Sequence, residues 1–552
     1  MKYVRTSDLY SPRHSSGSFG SDSQLQETAG TAHSARVQYA WGTLTLCVLT
    51  TSLTSVLLGY DVGIMSAALP LMEESLSMTS FEVGVIAGSL NFIAGFGAAP
   101  FGSLADILGR RPAMLLACVV FAFGTLLMSL STNFYSLLLA RGLMGCGVGA
   151  TFVIAPVYLS ELVPAEFRGA LVCVFDIFIN VGILVGFVGG YLIDTLLPFG
   201  DDLKWRLMIG VGVLPPVCIA FATKFLPESP RWLVSRGRRV EAENSLGKVV
   251  LDDHTVKEEV DLMAIAARTS SESTYSEVIC PPSKSMQRAL HVTLGLSILQ
   301  QATGSEAAIL FTPLILKEAG VLSTKSQLLW ALPVGFAKLT GELISVPLLD
   351  KVGRRPLLLV GGGLQCLFLV LLTTAYWADW LWQTKIVAIS AFMLSFEIAA
   401  PIAWLMPSEV YGSRPRGKAQ SIAVSVNRMT SGIIVLSFPM LIVHLGPVLI
   451  FSVFASLAFF SVIWAYYVVP ETAGLTLEEV ETLLREESFG HLSASQAHLP
   501  IQYKTRKPHG REKGYGTLGW QASRQEKKKH TTARLIDLTS NSDDIPREVT
   551  QF

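Results

Sequence analysis

Charged residues are scarce in this 552-residue chain: Asp, Glu, Lys and Arg make up 16% of it, whereas 50% of it is hydrophobic. A soluble domain needs a smaller apolar fraction to fill its core, so the composition argues against a soluble protein. The 43 basic and 43 acidic residues cancel, and no excess of positive charge is left to bind nucleic acid. What remains is the composition of a protein that spans a lipid bilayer.

Cysteine patterns that hold metals are also missing. The seven cysteines form no Cys-x-x-Cys pair and no Cys/His cluster, and all except Cys280 lie in apolar runs, where cysteine packs as a small apolar residue. No nucleophile, base and orienting group occur together in a soluble segment, so we expect neither an enzyme nor a cofactor or metal. The polar N-terminus lacks the basic start and short apolar core of a secretory signal. The first apolar helix is therefore expected to act as its own insertion signal.

Long apolar runs are abundant. Crossing a hydrocarbon core takes roughly 20 residues of helix, and such runs lie between short polar breaks. In the first half they cover residues 41–68, 82–105, 112–130, 134–159, 170–192 and 207–225. In the second half they cover residues 291–316, 327–349, 356–376, 385–406, 420–444 and 447–469. The chain therefore contains two blocks of six predicted helices.

Polar segments between and around these blocks complete the predicted organisation. The segment between the blocks carries charge clusters typical of short amphipathic helices, and a basic, low-complexity tail follows the second block. We predict an all-α membrane protein with twelve transmembrane helices in two pseudo-symmetric six-helix bundles. Its parts are a disordered N-terminus (1–38), an N-terminal bundle (39–226), a cytoplasmic helical linker (227–290), a C-terminal bundle (291–470) and a mostly disordered tail (471–552).

Lys and Arg beside the predicted spans set the orientation, because basic loops stay on the cytoplasmic side. Nearly all of them fall on one side, and the other side has little beyond Lys204, Lys317 and Lys325. The linker and both termini lie on the basic side. We expect that side to be cytoplasmic.

Two short sequences recur at corresponding places in the two blocks. ADILGRRPAM after the second predicted span returns as LDKVGRRPLL after the eighth, and SELVPAEFRG after the fourth returns as SEVYGSRPRG after the tenth. Coincidence explains one such echo more easily than two in register. The repeat predicts two related bundles with a binding site between them, an arrangement found in secondary transporters.

From about residue 41 to residue 479 these and other motifs resemble the sugar porter branch of the major facilitator superfamily. The motifs are GYDVG (59–63), GSLADILGRR (102–111), RGLMGCGVG (141–149), PESPRWL (227–233), QQATG (300–304), DKVGRR (350–355) and PETAG (470–474). The segments VFDIFINVGIL, AKLTGELISVPLLDKVGRR and SVNRMTSG look most like plant-type polyol and monosaccharide proton symporters. The resemblance implies the major facilitator fold and transport of a sugar or polyol.

Ionisable residues inside apolar spans are candidates for function, since each costs about 2.5–3.5 kcal/mol to insert unless it faces a cavity or a partner. Asp61 lies late in the first predicted span and Arg141 early in the fourth. In similar proton-coupled sugar porters the matching aspartate takes up the proton, which releases the arginine and biases the conformational equilibrium. We therefore predict proton coupling at this pair. The alternative is a permanent, structural ion pair.

A sugar or polyol is recognised by amides, carboxylates and indoles, because its hydroxyls both donate and accept hydrogen bonds. The resemblance places the solute site at Asp176, Gln300, Gln301, Glu306, Lys338, Trp404 and Asn427. The two glutamines would hold hydroxyls, and Trp404 would cover the C–H face of the solute. The alternative for the glutamines is hydrogen bonding between helices.

The resemblance also shows departures from facilitative hexose carriers. These usually carry Gln, Asn, Asn and Trp where this chain has Asp176, Glu306, Lys338 and Arg428, and polyol-symporter-like members match this chain in charge. A carboxylate beside a lysine leaves oxygens free for hydroxyls and offers a second protonatable site. Alternatively, Glu306 and Lys338 pair only with each other. Glu397 lies one residue away from the position of the family glutamate in its span, so no role is transferred to it.

Charged residues at the cytoplasmic ends of the spans are predicted to form a gating ion-pair network. Its members are Asp106, Arg110, Arg111, Glu161 and Arg168 in the first half and Asp350, Arg354, Arg355, Glu409 and Arg416 in the second. The network would hold the bundles together while the outer gate is open and would break as they rock about the central site. These charges also serve to keep their loops inside.

Together these features predict a secondary active transporter that carries a monosaccharide or polyol with a proton by alternating access. A passive hexose or polyol facilitator and a non-transporting sugar receptor are the alternatives. The expected partners are the small-molecule sugar or polyol, the proton and the lipid bilayer, with no nucleic acid. We expect a monomer in the plasma membrane, with a vacuolar or other endomembrane as the alternative location.

Overall fold

The computed structural model describes residues 39–163, 168–269, 274–412, 415–475 and 477–485. Residues 98–99, 168–173, 266–269 and 477–478 are described by their backbone only. The predicted N-terminal segment, most of the predicted tail and the side chain of Arg168 therefore lie outside the description. Within the described ranges the chain is helical, and one isolated antiparallel bridge joins Tyr39 to Val250.

Along the chain, a group of short polar helices separates two groups of mostly long, apolar helices. The first group is α1 (Trp41–Leu76), α2 (Ser80–Leu108), α3 (Arg110–Ser129), α4 (Phe134–Leu162), α5 (Arg168–Leu196), α6 (Asp201–Val211) and α7 (Leu214–Thr223). The short helices are α8 (Pro230–Ser235), α9 (Arg239–Leu246), α10 (Asp253–Thr269) and α11 (Tyr275–Ile279). The last group is α12 (Lys284–Ala302), α13 (Ser305–Leu310), α14 (Thr312–Glu318), α15 (Thr324–Val352), α16 (Arg354–Trp377), α17 (Trp382–Val410), α18 (Arg416–Val468) and α19 (Leu477–Arg485).

Ten helical segments of the described chain are long and apolar enough to cross a membrane. One of them, α18, has 53 residues and leaves the helical conformation at Gly446, between the predicted eleventh and twelfth spans. The predicted seventh span is divided among α12, α13 and α14. An all-α membrane protein is thus confirmed, whereas the count of twelve spans stays a prediction.

Two helices extend beyond their predicted ends, and for α12 the reason is that hydropathy marks the apolar part of a helix and not its polar first turns. Helix α12 begins at Lys284 and not at residue 291, and the Ser283 hydroxyl caps it by accepting a hydrogen bond from the Met286 N–H at 3.2 Å. Helix α1 continues past residue 68 to Leu76. The sequence locates both helices, and local capping sets their ends.

The two GRR motifs adopt the same local structure. Gly109 and Gly353 both have a φ of 100°, and each separates two consecutive helices. Glycine suits these positions, because a Cβ at positive φ is strained. The shared geometry supports the internal repeat that the sequence predicts.

A glutamate caps the helix that follows each motif. Glu228 accepts hydrogen bonds from the backbone N–H groups of Arg110 and Arg111 at 3.0 and 3.3 Å. Glu471 accepts the matching bonds in the second half, both at 3.0 Å. A carboxylate is favourable there, since the first N–H groups of a helix lack partners within it. Burial raises the pKa of the Glu228 carboxyl, and its backbone hydrogen bonds oppose that effect.

Contacts between the two groups of long helices position the central site. Helix α2 packs along α18, α5 packs along α15, and α1 contacts α13 and α14. The Ser66 hydroxyl donates a hydrogen bond to the carbonyl of Ile309 at 3.4 Å. These contacts enclose a space bordered by α1, α5, α12, α13, α15, α17 and α18.

Candidate functional site

A small cavity of about 60 Å³ lies where the two groups of long helices meet. A polar cavity of this size has room for water. Its polar lining residues are Asp176, Asn180, Gln300, Gln301, Ser305, Glu306, Lys338, Glu397, Trp404 and Arg428. The structure therefore brings together every predicted solute-site residue at this cavity except Asn427, which lies directly behind its wall.

An amide network connects α12, α17 and α18 at the cavity wall. The Asn427 side-chain N–H donates to Gln300 Oε1 at 2.7 Å, and the Gln301 side-chain N–H donates to Asn427 Oδ1 at 3.1 Å. Gln300 also donates to the carbonyl of Ala400 at 3.0 Å. Both glutamines thus bond between helices and line the cavity at once. Asn427 orients them from behind.

Glu306 is held by partners from two other helices. It accepts hydrogen bonds from the Asn91 amide at 2.7 Å and from the Arg428 guanidinium at 3.3 Å. The alternative that Glu306 and Lys338 pair only with each other does not hold in this structure. The reason is geometric, because α13 places Glu306 beside Asn91 of α2 and Arg428 of α18.

Lys338 instead forms a direct ion pair with Glu397, joining α15 to α17. Glu397 is 2% exposed and lines the cavity, so it belongs to the site although the sequence comparison transferred no role to it. Its offset by one residue from the family position changes its direction by about 100° around the helix. In that direction the Glu397 side chain meets Lys338.

An aromatic stack lies at the cavity wall, where Trp404 is a lining residue. Phe152 of α4 stacks on Trp404 of α17 with ring centroids 6.1 Å apart, and the Arg428 guanidinium lies 5.4 Å from the Phe152 ring. A second stack, of Phe311 on Phe438 at 5.5 Å, is not part of the cavity lining. Sequence reasoning missed Phe152, since a phenylalanine in an apolar span carries no distinguishing signal. It also missed Asn91, which the rarity of amides in such spans does signal.

Asp61 and Arg141 form a bidentate ion pair between α1 and α4. Arg141 Nη1 lies 2.7 and 2.8 Å from the two carboxylate oxygens, and the side chains are 3% and 2% exposed. The guanidinium also donates to the carbonyls of Ile86 and Ala87 at 3.1 and 3.4 Å. The pair does not line the cavity, although its neighbour Val62 does.

The predicted gating residues form ion pairs within each half. These pairs are Arg110–Asp106, Arg110–Glu161, Arg354–Asp350 and Arg354–Glu409, at 2.9, 2.9, 3.3 and 3.0 Å. Arg111 and Arg355 donate to backbone carbonyls near the ends of α7 and α18. The Nε and Nη2 atoms of Arg416 have no partner among the described residues. In this conformation no ion pair of the described network joins the halves, and the gating role of these residues stays a prediction.

Comparisons with known proteins agree with this architecture. A family model described as "Sugar (and other) transporter" matches residues 47–484. Polyol transporter 5 of Arabidopsis thaliana is 35% identical over 462 residues, covering 79% of this chain and 85% of that protein. Glucose transporter GlcP of Staphylococcus epidermidis is 33% identical over 442 residues, covering 79% of this chain and 96% of that protein.

A solved structure has the same fold. The proton:xylose symporter XylE of E. coli, bound to 6-bromo-6-deoxy-D-glucose, matches with a TM-score of 0.69 at 24% identity, covering 81% of this chain and 100% of that chain. This likeness shows the major facilitator fold. The relatives are named as transporters and not as enzymes, as the sequence predicts. With the family model covering most of its length, the chain belongs to the sugar (and other) transporter family.

Proposed function

We propose that this protein is a secondary active transporter that moves a monosaccharide or polyol together with a proton by alternating access. Three buried acceptor oxygens in cavity-lining residues support the solute class: Asp176 Oδ2, Asn180 Oδ1 and Gln301 Oε1 have no hydrogen-bond partner among the described residues. Buried acceptors without donors are unfavourable, so the cavity favours a solute that brings several hydroxyl donors. The names of the relatives, a polyol and a glucose transporter, agree with that class.

The single observation that carries proton coupling is the buried Asp61–Arg141 pair. A proton on Asp61 would remove the charge that holds Arg141 Nη1, while the carbonyls of Ile86 and Ala87 would still hold the rest of the guanidinium. Protonation would thereby weaken the contact between α1 and α4, and the arginine would keep its hydrogen bonds to the two carbonyls. A contact present in one conformation and weakened by protonation shifts the balance between conformations. The structural neighbour named as a proton symporter supports this role.

Gating follows from the same scheme. Arg416, with two unpartnered guanidinium nitrogens, is available to pair across the halves in the opposite conformation. Glu161 and Glu409 are now occupied by Arg110 and Arg354 within their own halves. We propose that an exchange of these partners accompanies each rocking movement.

A passive facilitator is the second candidate. The observation in its favour is that Arg141 bonds to two carboxylate oxygens and two carbonyls, as the arginine of a structural pair would. The two candidates differ in one measurable property. A facilitator equilibrates solute, whereas a symporter accumulates it when a proton gradient exists.

Uptake of labelled sorbitol, mannitol, glucose and inositol into transporter-deficient cells tests the proposal. At least one of these solutes is expected to accumulate above its external concentration, faster at acidic than at neutral pH, and to leak out when an uncoupler collapses the gradient. Uptake that depends on neither the pH nor the uncoupler would support the passive facilitator. Absence of uptake for all four solutes, with the protein at the cell surface, would favour a receptor.

We propose that the protein lies in the plasma membrane with the Arg110 and Arg354 motifs facing the cytoplasm. Cys280, which is exposed between α11 and α12, reports on this orientation. A membrane-impermeant thiol reagent is expected to label it only after the cells are permeabilised. Cys280→Ser should remove that labelling, which identifies the site. Labelling of Cys280 in intact cells would reverse the assigned orientation.

A further inference from the structure

Three carboxyl groups meet beside the cavity. Asp176 of α5, Glu342 of α15 and Glu397 of α17 each place a carboxylate oxygen within 4.8 Å of the other two. Lys338, one turn before Glu342 on α15, forms an ion pair with Glu397. The helices approach closely here because Gly341 has no Cβ; an added one would lie 3.0 Å from the Cβ of Glu397.

The charges around this carboxyl cluster do not balance. The charged side chains facing it from the packed helices are Asp176, Lys338, Glu342, Glu397, Glu306 and Arg428. Glu306 and Arg428 pair with each other at 3.3 Å, which leaves three carboxyls facing the single ammonium of Lys338. Three ionised carboxylates so close together in an apolar span would repel one another strongly.

Glu342 is the member of the cluster whose carboxyl oxygens have the least compensation. It is 0% exposed, and neither of its carboxyl oxygens has a hydrogen-bond partner among the described residues. It is absent from the cavity lining, so a bound solute would not reach it. An ionised carboxylate in that position would be a buried charge with, in the described part of the chain, no hydrogen-bond donor and only the shared ammonium of Lys338 near it, whereas the protonated acid is neutral. Its state therefore has to be explained by a proton or by another cation.

A metal ion is the less favourable of the two. Three carboxylates are suitable ligands for a cation, but the ammonium of Lys338 already lies in contact with Glu397. A second full positive charge beside it would be repelled, whereas a proton forms a covalent O–H bond and removes a negative charge. We propose that the cluster of Asp176, Glu342 and Glu397 is a second proton-binding site, which holds one exchangeable proton in this conformation, mainly on Glu342.

This proton has a route to water. Asp176 lines the cavity, and its carboxyl lies within 4.8 Å of Glu342, so one bridging water would connect them. The Glu342 O–H bond would break as that water takes the proton, the water would give one of its own protons to Asp176, and Asp176 would then release a proton to cavity water. A solute hydroxyl that donates to Asp176 favours the ionised form of that group and so favours proton release. This coupling to solute rests on the transport function proposed above, whereas the presence of the proton does not.

Infrared spectroscopy of the purified full-length protein tests the proposal without any solute. In an ester-free detergent at neutral pH, the wild type should show the carbonyl stretch of a protonated carboxyl, corresponding to one group per molecule and shifted in heavy water. Glu342→Gln should lose this band. Asp61→Asn should keep it, and so should Glu258→Gln, which changes an exposed glutamate of α10. Glu342→Asp should move the band without removing it.

Two results would overturn the second proton site. One is a wild type with no such band, or with a band that Glu342→Gln leaves unchanged. The other is loss of the wild-type band on adding sodium chloride, which would make the cluster a cation site. Should Glu342→Gln not fold, Glu342→Met gives the same readout, since a buried apolar side chain needs no partner. A protein that shows the band but transports none of the four solutes would contradict the proposed function and not this site.

Discussion

Asp61→Asn is expected to abolish accumulation of solute while leaving solute binding and exchange in place. Asparagine has nearly the size of aspartate and imitates its protonated form, but it cannot release a proton and restore the pair with Arg141. One proton driven by 100 mV supplies about 2.3 kcal/mol, which corresponds to an accumulation of roughly fiftyfold. In the variant the ratio of internal to external solute should fall to about one.

Accumulation and counterflow exchange in proteoliposomes, measured side by side, separate a coupling defect from a folding defect. Exchange close to the wild-type rate would show that the variant folds and binds. Asp253→Asn makes the same chemical change at an exposed position of α10 and should accumulate solute normally. Concentrative uptake by Asp61→Asn at the wild-type level would remove the proton role from this pair.

Hydropathy predicted the architecture well, because each span must be apolar on its own to cross the bilayer. The predicted spans correspond to helices α1 to α7 and α12 to α18, with differences at caps and kinks. Helix α12 is the instructive case. Its first turns carry Lys284 and Arg288, so hydropathy begins the span later than the backbone begins the helix.

Pairing between helices was harder to predict than the helices themselves. Helical spacing places Lys338 and Glu342 on one face of α15, which the sequence alone shows. It does not show which acid on another helix each cation meets, because that depends on how far the helices slide and rotate against each other. Glu306 therefore pairs with Arg428, and Lys338 with Glu397, against the simplest expectation.

Lys338→Met is expected to destabilise the protein strongly. Removing the ammonium leaves Glu397, 2% exposed, without its cation and beside two further carboxyls. Breaking a buried ion pair by deleting one partner costs about 3–5 kcal/mol, because the remaining charge stays buried and unpaired. Thermal unfolding in detergent should show a midpoint well below that of the wild type, together with a reduced yield of monodisperse protein.

The double variant Lys338→Met/Glu397→Gln should recover most of that stability, since it removes the orphaned charge together with its partner. Lys385→Met is the matched control: Lys385 is also buried, but its partner Asp379 is 96% exposed and is solvated by water once the lysine is gone. Its loss should cost no more than about 1 kcal/mol. A Lys338→Met variant as stable as the Lys385→Met variant would mean that the Lys338–Glu397 pair does not stabilise the fold. A recovered double variant that still fails to transport would assign the pair to solute handling as well as to stability.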